Sequence, residues 1–384
     1  MKRVSLPVAI TIGCGLIFLG LAASFLVKKG NLNRGNKPEP KETIKRTDYT
    51  DVARKTLDWI DQQRNEDGWY ILERGCDYEK KTCDIVWDNK EGNKDGLIAT
   101  WARLNFFEQH QDPKDLEIVK KDIDLFYDKY KDDNLSDSLW LCKITYEMAQ
   151  SKYIDQTQKD KLKELCMGVE YPSTEEVKKY WLSERDKKVK EFAKANVWEK
   201  WDSYRLNIRG FDASLGYPTD LIFRYKWTNN VDDLNAAKDT SDVLMKIYKD
   251  GIDKNFDKQI VRYPEDICLG IISAIDVYKL DKEQEMLEFA SETYKQTVSN
   301  QEKLSESQTT VCGLTVKSFL DLTGDETYLS DLEKNNKILI NIGVDGENMI
   351  VVGDGGWFKS DGKNRFVTYK NVVENGLIVE LLRN

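Results

Sequence analysis

Residues 115–131 read Asp-Leu-Glu-Ile-Val-Lys-Lys-Asp-Ile-Asp-Leu-Phe-Tyr-Asp-Lys-Tyr-Lys. Leu116, Val119, Ile123, Phe126, Tyr127 and Tyr130 fall three and four apart, which predicts a helix with one apolar face and a charged back. Met286, Leu287, Ala290, Tyr294 and Val298 repeat the pattern. Working outward from this stretch, amphipathic helices of the same kind are predicted over about 50–64, 115–131, 174–200, 233–249, 283–299 and 327–340. A second kind, apolar around more of its circumference, falls at about 95–109, 136–150, 218–228, 265–279, 307–322 and 370–383. A helix apolar nearly all round belongs inside, surrounded by others. The two kinds alternate, outer then inner, and predict an all-α fold, an (α/α)6 toroid of helical hairpins. A short helix near 156–167 is left over, and Asn348–Val352 is the one fair strand candidate.

Connection lengths agree. Inner-to-outer links are brief (110–114, 151–155, 280–282, 323–326), whereas several outer-to-inner links are long (65–94, 201–217, 250–264, 341–369). The long ones emerge where inner helices begin, at one mouth of the ring, and long ordered loops in compact domains are usually functional. Tyr217-Pro218-Thr219-Asp220 and Tyr263-Pro264-Glu265-Asp266 both open inner helices. Proline is preorganised for the first helical position, and an acid in the first turn meets the positive end of the dipole. Capping therefore explains Asp220 and Asp266 without any chemistry.

Ahead of this domain lies an uninterrupted apolar segment, Val4–Val27, bracketed by Lys2-Arg3 and Lys28-Lys29. It is long enough to cross a bilayer core of roughly 30 Å and too long for an ordinary signal peptide. Cleavage after Ala22-Ala23-Ser24, or acylation at Cys14, are the alternatives to an uncleaved single transmembrane helix. The chain thus divides into an anchor at 1–29, a linker at 30–48 and a toroid domain at 49–384. Of the 58 Lys and Arg, four flank the anchor; the other 54 face 67 Asp and Glu, leaving about −13 on the remainder. That balance disfavours nucleic acid. One histidine, His110, is too few for a usual zinc site, so no metal and no cofactor are expected. Gly353-Asp354-Gly355-Gly356 lacks the Lys-Ser/Thr of a phosphate-binding loop.

Six cysteines follow the anchor. The toroid selects Cys76–Cys83 across a short loop, Cys142–Cys166 across a helical hairpin, and Cys268–Cys312 between successive inner helices. Such a set indicates an oxidising compartment and hence a main domain outside the cytoplasm.

Aromatics and acids gather in the long loops. Trp69, Tyr70, Trp87, Tyr217, Tyr263 and Trp357 offer flat apolar faces on which a sugar ring stacks, and carboxylates between them accept its hydroxyl protons. Packing of loops onto the ring is the bland alternative for any one of them. The architecture, together with Asn65-Glu66-Asp67-Gly68-Trp69-Tyr70 after an outer helix, resembles the six-hairpin glycosidase superfamily. The resemblance implies a site in the ring mouth with acids on inner-helix starts, which here are Asp95, Asp137, Asp220 and Asp266. With the apolar segment as its anchor, the protein is then expected to be membrane-anchored and glycan-active, a hydrolase or a lyase, cleaving a polysaccharide through paired carboxyls. The alternative is a non-catalytic toroid that binds a cell-envelope polymer or protein.

Overall fold

In the computed structural model, the described residues are 46–70, 73–77, 82–86, 94–133, 135, 138–179, 216–253, 264–297, 306–343, 353–360 and 363–383. For the strands and several helix ends only the backbone is described. The elements in chain order are α1 (Thr50–Asp61), β1 (Glu73–Asp77), β2 (Thr82–Val86), α2 (Leu97–His110), α3 (Pro113–Tyr130), α4 (Leu141–Gln150), α5 (Gln156–Met167) and α6 (Thr174–Lys179). They continue with α7 (Tyr217–Thr228), α8 (Val231–Asp253), α9 (Pro264–Asp281), α10 (Gln284–Thr297), α11 (Glu306–Thr323), α12 (Glu326–Gly343), β3 (Gly353–Ser360), β4 (Lys363–Asn371) and α13 (Val372–Leu382).

Helices α2, α4, α7, α9, α11 and α13 pack in that order into a closed inner ring, with α13 returning to α2. Around them stand α3, α5, α8, α10 and α12, each against the inner helix it follows, while α1 covers α13 and seals the ring between the two ends of the domain. The core lies between the rings. In α3 it takes Val119, Ile123, Phe126 and Tyr130 from one face, and each such side chain contributes about 1.5–3 kcal/mol by leaving water. In α2 it takes nearly the whole surface, Leu97 through Leu104 together with Phe106 and Phe107. Gly376 of α13 lets that helix meet α2 at backbone distance; a Cβ there would stand 3.0 Å from Ala99 N and Cα.

The two ends of the ring differ as the sequence predicts. Gln111, Asn229, Lys282 and Gly324, each directly after an inner helix, have φ of 59°, 56°, 64° and 65°. A left-handed residue there satisfies the last carbonyls and reverses the chain at once, so outer helices restart within two residues. Asp112 and Asp155 then cap α3 and α5, accepting from the N–H groups of Lys114 and Gln158. At the opposite end, the mouth, the outer helices finish and the inner helices begin, at Leu97, Leu141, Tyr217, Pro264, Glu306 and Val372. Arg46 donates to the carbonyl of Arg383, just past the end of α13, at 3.5 Å. The domain's chain therefore enters at the end away from the mouth.

Three expectations need correction or completion. The third outer position belongs to α5, not to 174–200. Cys142–Cys166 ties α5 to α4, whereas only the short α6 is described in the other stretch, against α8. The sequence misleads because α5 buries little, namely Gln158, Leu162, Leu165 and Cys166. Secondly, the fold is not wholly helical. Links 62–96 and 344–371 supply hairpins that join as one antiparallel sheet, ordered β2-β1-β4-β3. Its central register pairs Glu73 with Asn371 and Asp77 with Val367. These strands are mostly polar on both faces, so alternation does not reveal them, and Asn348–Val352 lies outside the described residues. Thirdly, Cys142–Cys166 and Cys268–Cys312 are bonded. The side chains of Cys76 and Cys83, in β1 and β2, lie outside the described residues. The same holds for the apolar segment 1–29. Among the described residues no helix is long and apolar enough to cross a membrane.

Candidate active site at the mouth of the ring

Two of the four candidate acids converge on the start of α4. Asp95 sits in a 3-10 turn, Lys94–Gly96, immediately before α2. Its Oδ1 accepts the backbone N–H of Leu139 at 3.0 Å. Asp220 lies in the first turn of α7, and its Oδ1 accepts the backbone N–H of Lys143 at 3.1 Å. Thus both ring neighbours of α4 send a carboxylate to its start: the turn ahead of α2 sends Asp95 to the residue before the N-cap Trp140, and α7 sends Asp220 to the first turn, where unpaired N–H groups concentrate partial positive charge. Asp95 keeps partial exposure. Asp220 is 1% exposed. Burial pushes the Asp220 carboxyl up to about 7, against hydrogen bonds from the amides of Lys143 and Cys142 and from the Tyr171 hydroxyl. Tyr171 stands 3.2 Å from Cys142 Sγ and carries Arg224 over its ring at 4.8 Å.

Between the two anchored amides the backbone is forced. Trp140 has φ 55° and ψ 31°, a left-handed conformation rare for a bulky residue. Its ring is 2% exposed. Lys143 Nζ hovers 5.6 Å from the ring's centre.

The remaining candidates divide. Asp137, Trp87 and Tyr263 lie outside the described residues, as do the side chains of Asp266, in the first turn of α9, and of Trp357, in β3 opposite Phe366. Trp69 and Tyr70, expected to line the mouth, are instead fully buried. Their motif is a tight turn. Asn65 and Trp69 exchange backbone and side-chain hydrogen bonds, Gly68 takes φ 83°, and Arg64 bridges to Tyr70. The turn drives Trp69 against Phe126 and Tyr130. Tyr70 donates to Asp122 at 2.7 Å, and Asp122 also receives both Arg64 nitrogens. Gly96 packs closely beneath them, since a Cβ there would stand 3.0 Å from both rings and press them aside. Tyr217 is likewise inside, 5% exposed and edge-on to Tyr171. None of these three presents a face to a sugar.

Sequence reading passed over the polar residues of the inner helices: Lys143, Glu147, Asp276, Lys317 and Glu380. The available signal was a charge inside an otherwise apolar helix, repeated at i and i+4 in Lys143 and Glu147. His110 ends α2 exposed, beside Phe106. Among the described residues no cluster of His, Cys, Asp or Glu has the grouping of a metal site.

Solved structures share this architecture along most of their length. The Lin0763 protein from Listeria innocua aligns with a TM-score of 0.55 at 12% identity, over 88% of this chain and 96% of that one. An unsaturated glucuronyl hydrolase specific for heparin gives 0.55 at 12%, over 87% and 94%. The glycoside hydrolase family 76 mannosidase Bt3792 from Bacteroides thetaiotaomicron gives 0.51 at 11%, over 87% and 96%. No protein-family model matches the chain, and no curated protein does. The fold is that of the six-hairpin glycosidase-like α/α toroids; identities this low establish the fold alone.

Proposed function

We propose that this protein is a glycan-active toroid of the cell envelope, tethered by its N-terminal apolar segment, in which Asp95 and Asp220 do acid–base work on a glycosidic bond. One observation carries the reading: two carboxyls reach the same helix start from opposite sides, in environments that separate their roles. Asp220, enclosed and pushed up to about 7, retains a proton to give to the leaving oxygen. The partly exposed Asp95 is the group to activate water or attack the sugar carbon. Asp137 and Asp266 remain candidates for the same work, and Trp87, Tyr263 and Trp357 for holding the glycan. Placement outside the cytoplasm rests on the apolar Val4–Val27 and on Cys142–Cys166 and Cys268–Cys312, bonds that persist in oxidising compartments.

The test is release of reducing ends or unsaturated products from neutral and acidic polysaccharides by the full-length protein. Asp95→Asn and Asp220→Asn should each lower turnover by roughly 10²–10⁴-fold while unfolding stays cooperative. A second reading, a non-catalytic binder, is favoured by the fact that both acids accept backbone N–H bonds as caps do. It predicts no turnover by the wild type and glycan binding that both variants retain.

A further inference from the structure

Two buried polar atoms at the start of α4, Ser138 Oγ and Trp140 Nε1, have no hydrogen-bond partner among the described residues. Ser138 is 6% exposed and Trp140 2%. A buried polar group left unpaired costs stability, and folds keep few of them. These two flank Leu139, whose backbone N–H is held by Asp95. The chain between them is costly as well. Trp140 is left-handed, and Asp95 and Asp220 grip amides on either side of it, at Leu139 and Lys143. Backbone strain and unpaired polar atoms in the same three residues mark a place kept for a ligand rather than for packing.

The place is the mouth end of the ring axis. In the inner ring α7 stands between α4 and α9, yet Lys143 Nζ of α4 reaches Asp276 Oδ2 of α9 at 3.4 Å. The Lys143 side chain therefore runs on the axial side of α7. The Trp140 ring lies beside it, its centre 5.6 Å from Nζ, and Trp140 is the N-cap of α4, at the end where inner helices begin. Leu139 and Asp95 keep partial exposure, so solvent reaches this corner. Its chemistry is selective. An indole N–H only donates, a serine hydroxyl donates or accepts, and a carboxylate accepts. Such a set suits hydroxyl groups, each of which does both. It does not suit an anion, which Asp95 repels and for which Lys143 is already taken by Asp276 and Glu147.

We propose that Ser138 Oγ and Trp140 Nε1 form a subsite for neighbouring hydroxyls of an uncharged sugar ring, with Asp95 and Asp220 bracing the backbone that presents them. The sugar rests on the glycan reading above; the unpaired atoms do not. Full-length protein in detergent, with isotope-labelled tryptophan, is titrated with the methyl glycosides of glucose, galactose, mannose and N-acetylglucosamine. The singly deoxygenated forms of the best binder follow. The Trp140 indole N–H signal, identified by its absence from Trp140→Phe, should move downfield as the sugar binds. At least one deoxy sugar should bind about tenfold more weakly than its parent. Ser138→Ala and Trp140→Phe should each weaken the parent sugar by a similar factor while melting within a few degrees of wild type, because each removes an unpaired buried atom. Should Trp140→Phe fail to fold, Ser138→Ala decides alone. Equal affinity of wild type and variants, or an indole signal that stays in place while a sugar binds, overturns the subsite and leaves the glycan reading standing. Binding of none of the four sugars by wild type also overturns the subsite, and the polysaccharide turnover assay above then decides the glycan reading by itself.

Discussion

Asp220 of α7 accepts the backbone N–H of Lys143 in α4 at 3.1 Å, so one inner helix is held at its start by an acid from the next. Burial of the carboxyl, which outweighs this bond, makes the proton on Asp220 part of the fold's stability. Its folded pKa, about 7, lies above its unfolded value near 3.8. The folded state therefore binds the extra proton between those limits. The stabilisation is fully present below about pH 4 and is lost as pH rises through 7. Asp220→Asn removes this dependence while keeping an acceptor for the Lys143 amide. The stability difference between wild type and variant, followed by urea unfolding from pH 4 to 8, should move against wild type by a few kcal/mol at most. A difference that stays flat across that range would mean that the carboxyl titrates as an ordinary aspartate.

Trp69 turns from a binding prediction into a folding one. A ring wholly inside the packing with Phe126 and Tyr130 is expected to cost about 3–5 kcal/mol on replacement by Ala. Tyr70→Phe should cost about 1–3 kcal/mol, because Asp122 loses a donor where water does not reach. Chemical denaturation measures both. An unchanged midpoint for Trp69→Ala would return the ring to the surface.

The ring itself was legible because a 3.6-residue apolar period and an alternation of link lengths are properties of local sequence. Leu116, Val119, Ile123, Phe126, Tyr127 and Tyr130 all lie in α3, four of them buried outright and Leu116 and Tyr127 packed against the core. The cysteine pairs at 142–166 and 268–312 follow from the same order of helices. The site was less legible. Asp95 and Asp220 were found as acids at helix starts, but their convergence on α4 depends on three-dimensional neighbours. Trp69 and Tyr70 misled because an aromatic in a loop looks the same whether the loop stands clear or folds under. The sheet was hidden by strands such as 363–371, which pairs with 353–360 beside it but also with 73–77 from the far end of the domain.

The two disulfides should be strongly stabilising. Cys142–Cys166 spans 24 residues and Cys268–Cys312 spans 44, which by loop entropy gives roughly 3.5 and 4 kcal/mol, less any strain. Replacing either pair with Ser should lower the unfolding free energy by up to those amounts. Loss of the first should also lower the Asp220 midpoint as water reaches the carboxyl, because burial is the largest cause of its elevation and outweighs the Cys142 and Lys143 amide bonds that would weaken with it. Peptide mapping without reductant checks the pairing; finding Cys142 joined to Cys268 would contradict the helix order.

Arg103 of α2 is almost fully buried, with Nη1 donating to Asp115 at 2.8 Å and Nη2 to Asp61 at 2.6 Å. Asp115 is also gripped by both Arg54 nitrogens. Arg103→Met removes one cation and leaves carboxylates to share what remains, an arrangement expected to cost about 3–5 kcal/mol. A double variant, Arg103→Met with Asp115→Leu, should recover part of that loss if uncompensated charge is the cause. Equal stability of the single and double variants would instead assign the cost to packing.

Trp140 offers the sharpest separation of backbone from side chain. Its left-handed conformation lies between the Leu139 amide held by Asp95 and the helix start held by Asp220, and its carbonyl already accepts the N–H of Ile144 at 2.8 Å. Such a backbone costs a bulky residue about 1–3 kcal/mol, while glycine adopts it freely. Trp140→Ala and Trp140→Gly both forfeit the buried ring, at about 3–5 kcal/mol, but only glycine relieves the backbone. Glycine should therefore be the more stable of the two by about 1 kcal/mol. The Asp220 titration, read by carboxyl carbon NMR, should keep its midpoint near 7 in Trp140→Gly and fall in Trp140→Ala as the start of α4 frays and solvates the acid. Identical stabilities and midpoints would show that the ring alone holds this end of α4, and that the twist of the chain at Trp140 does not set the two carboxylates.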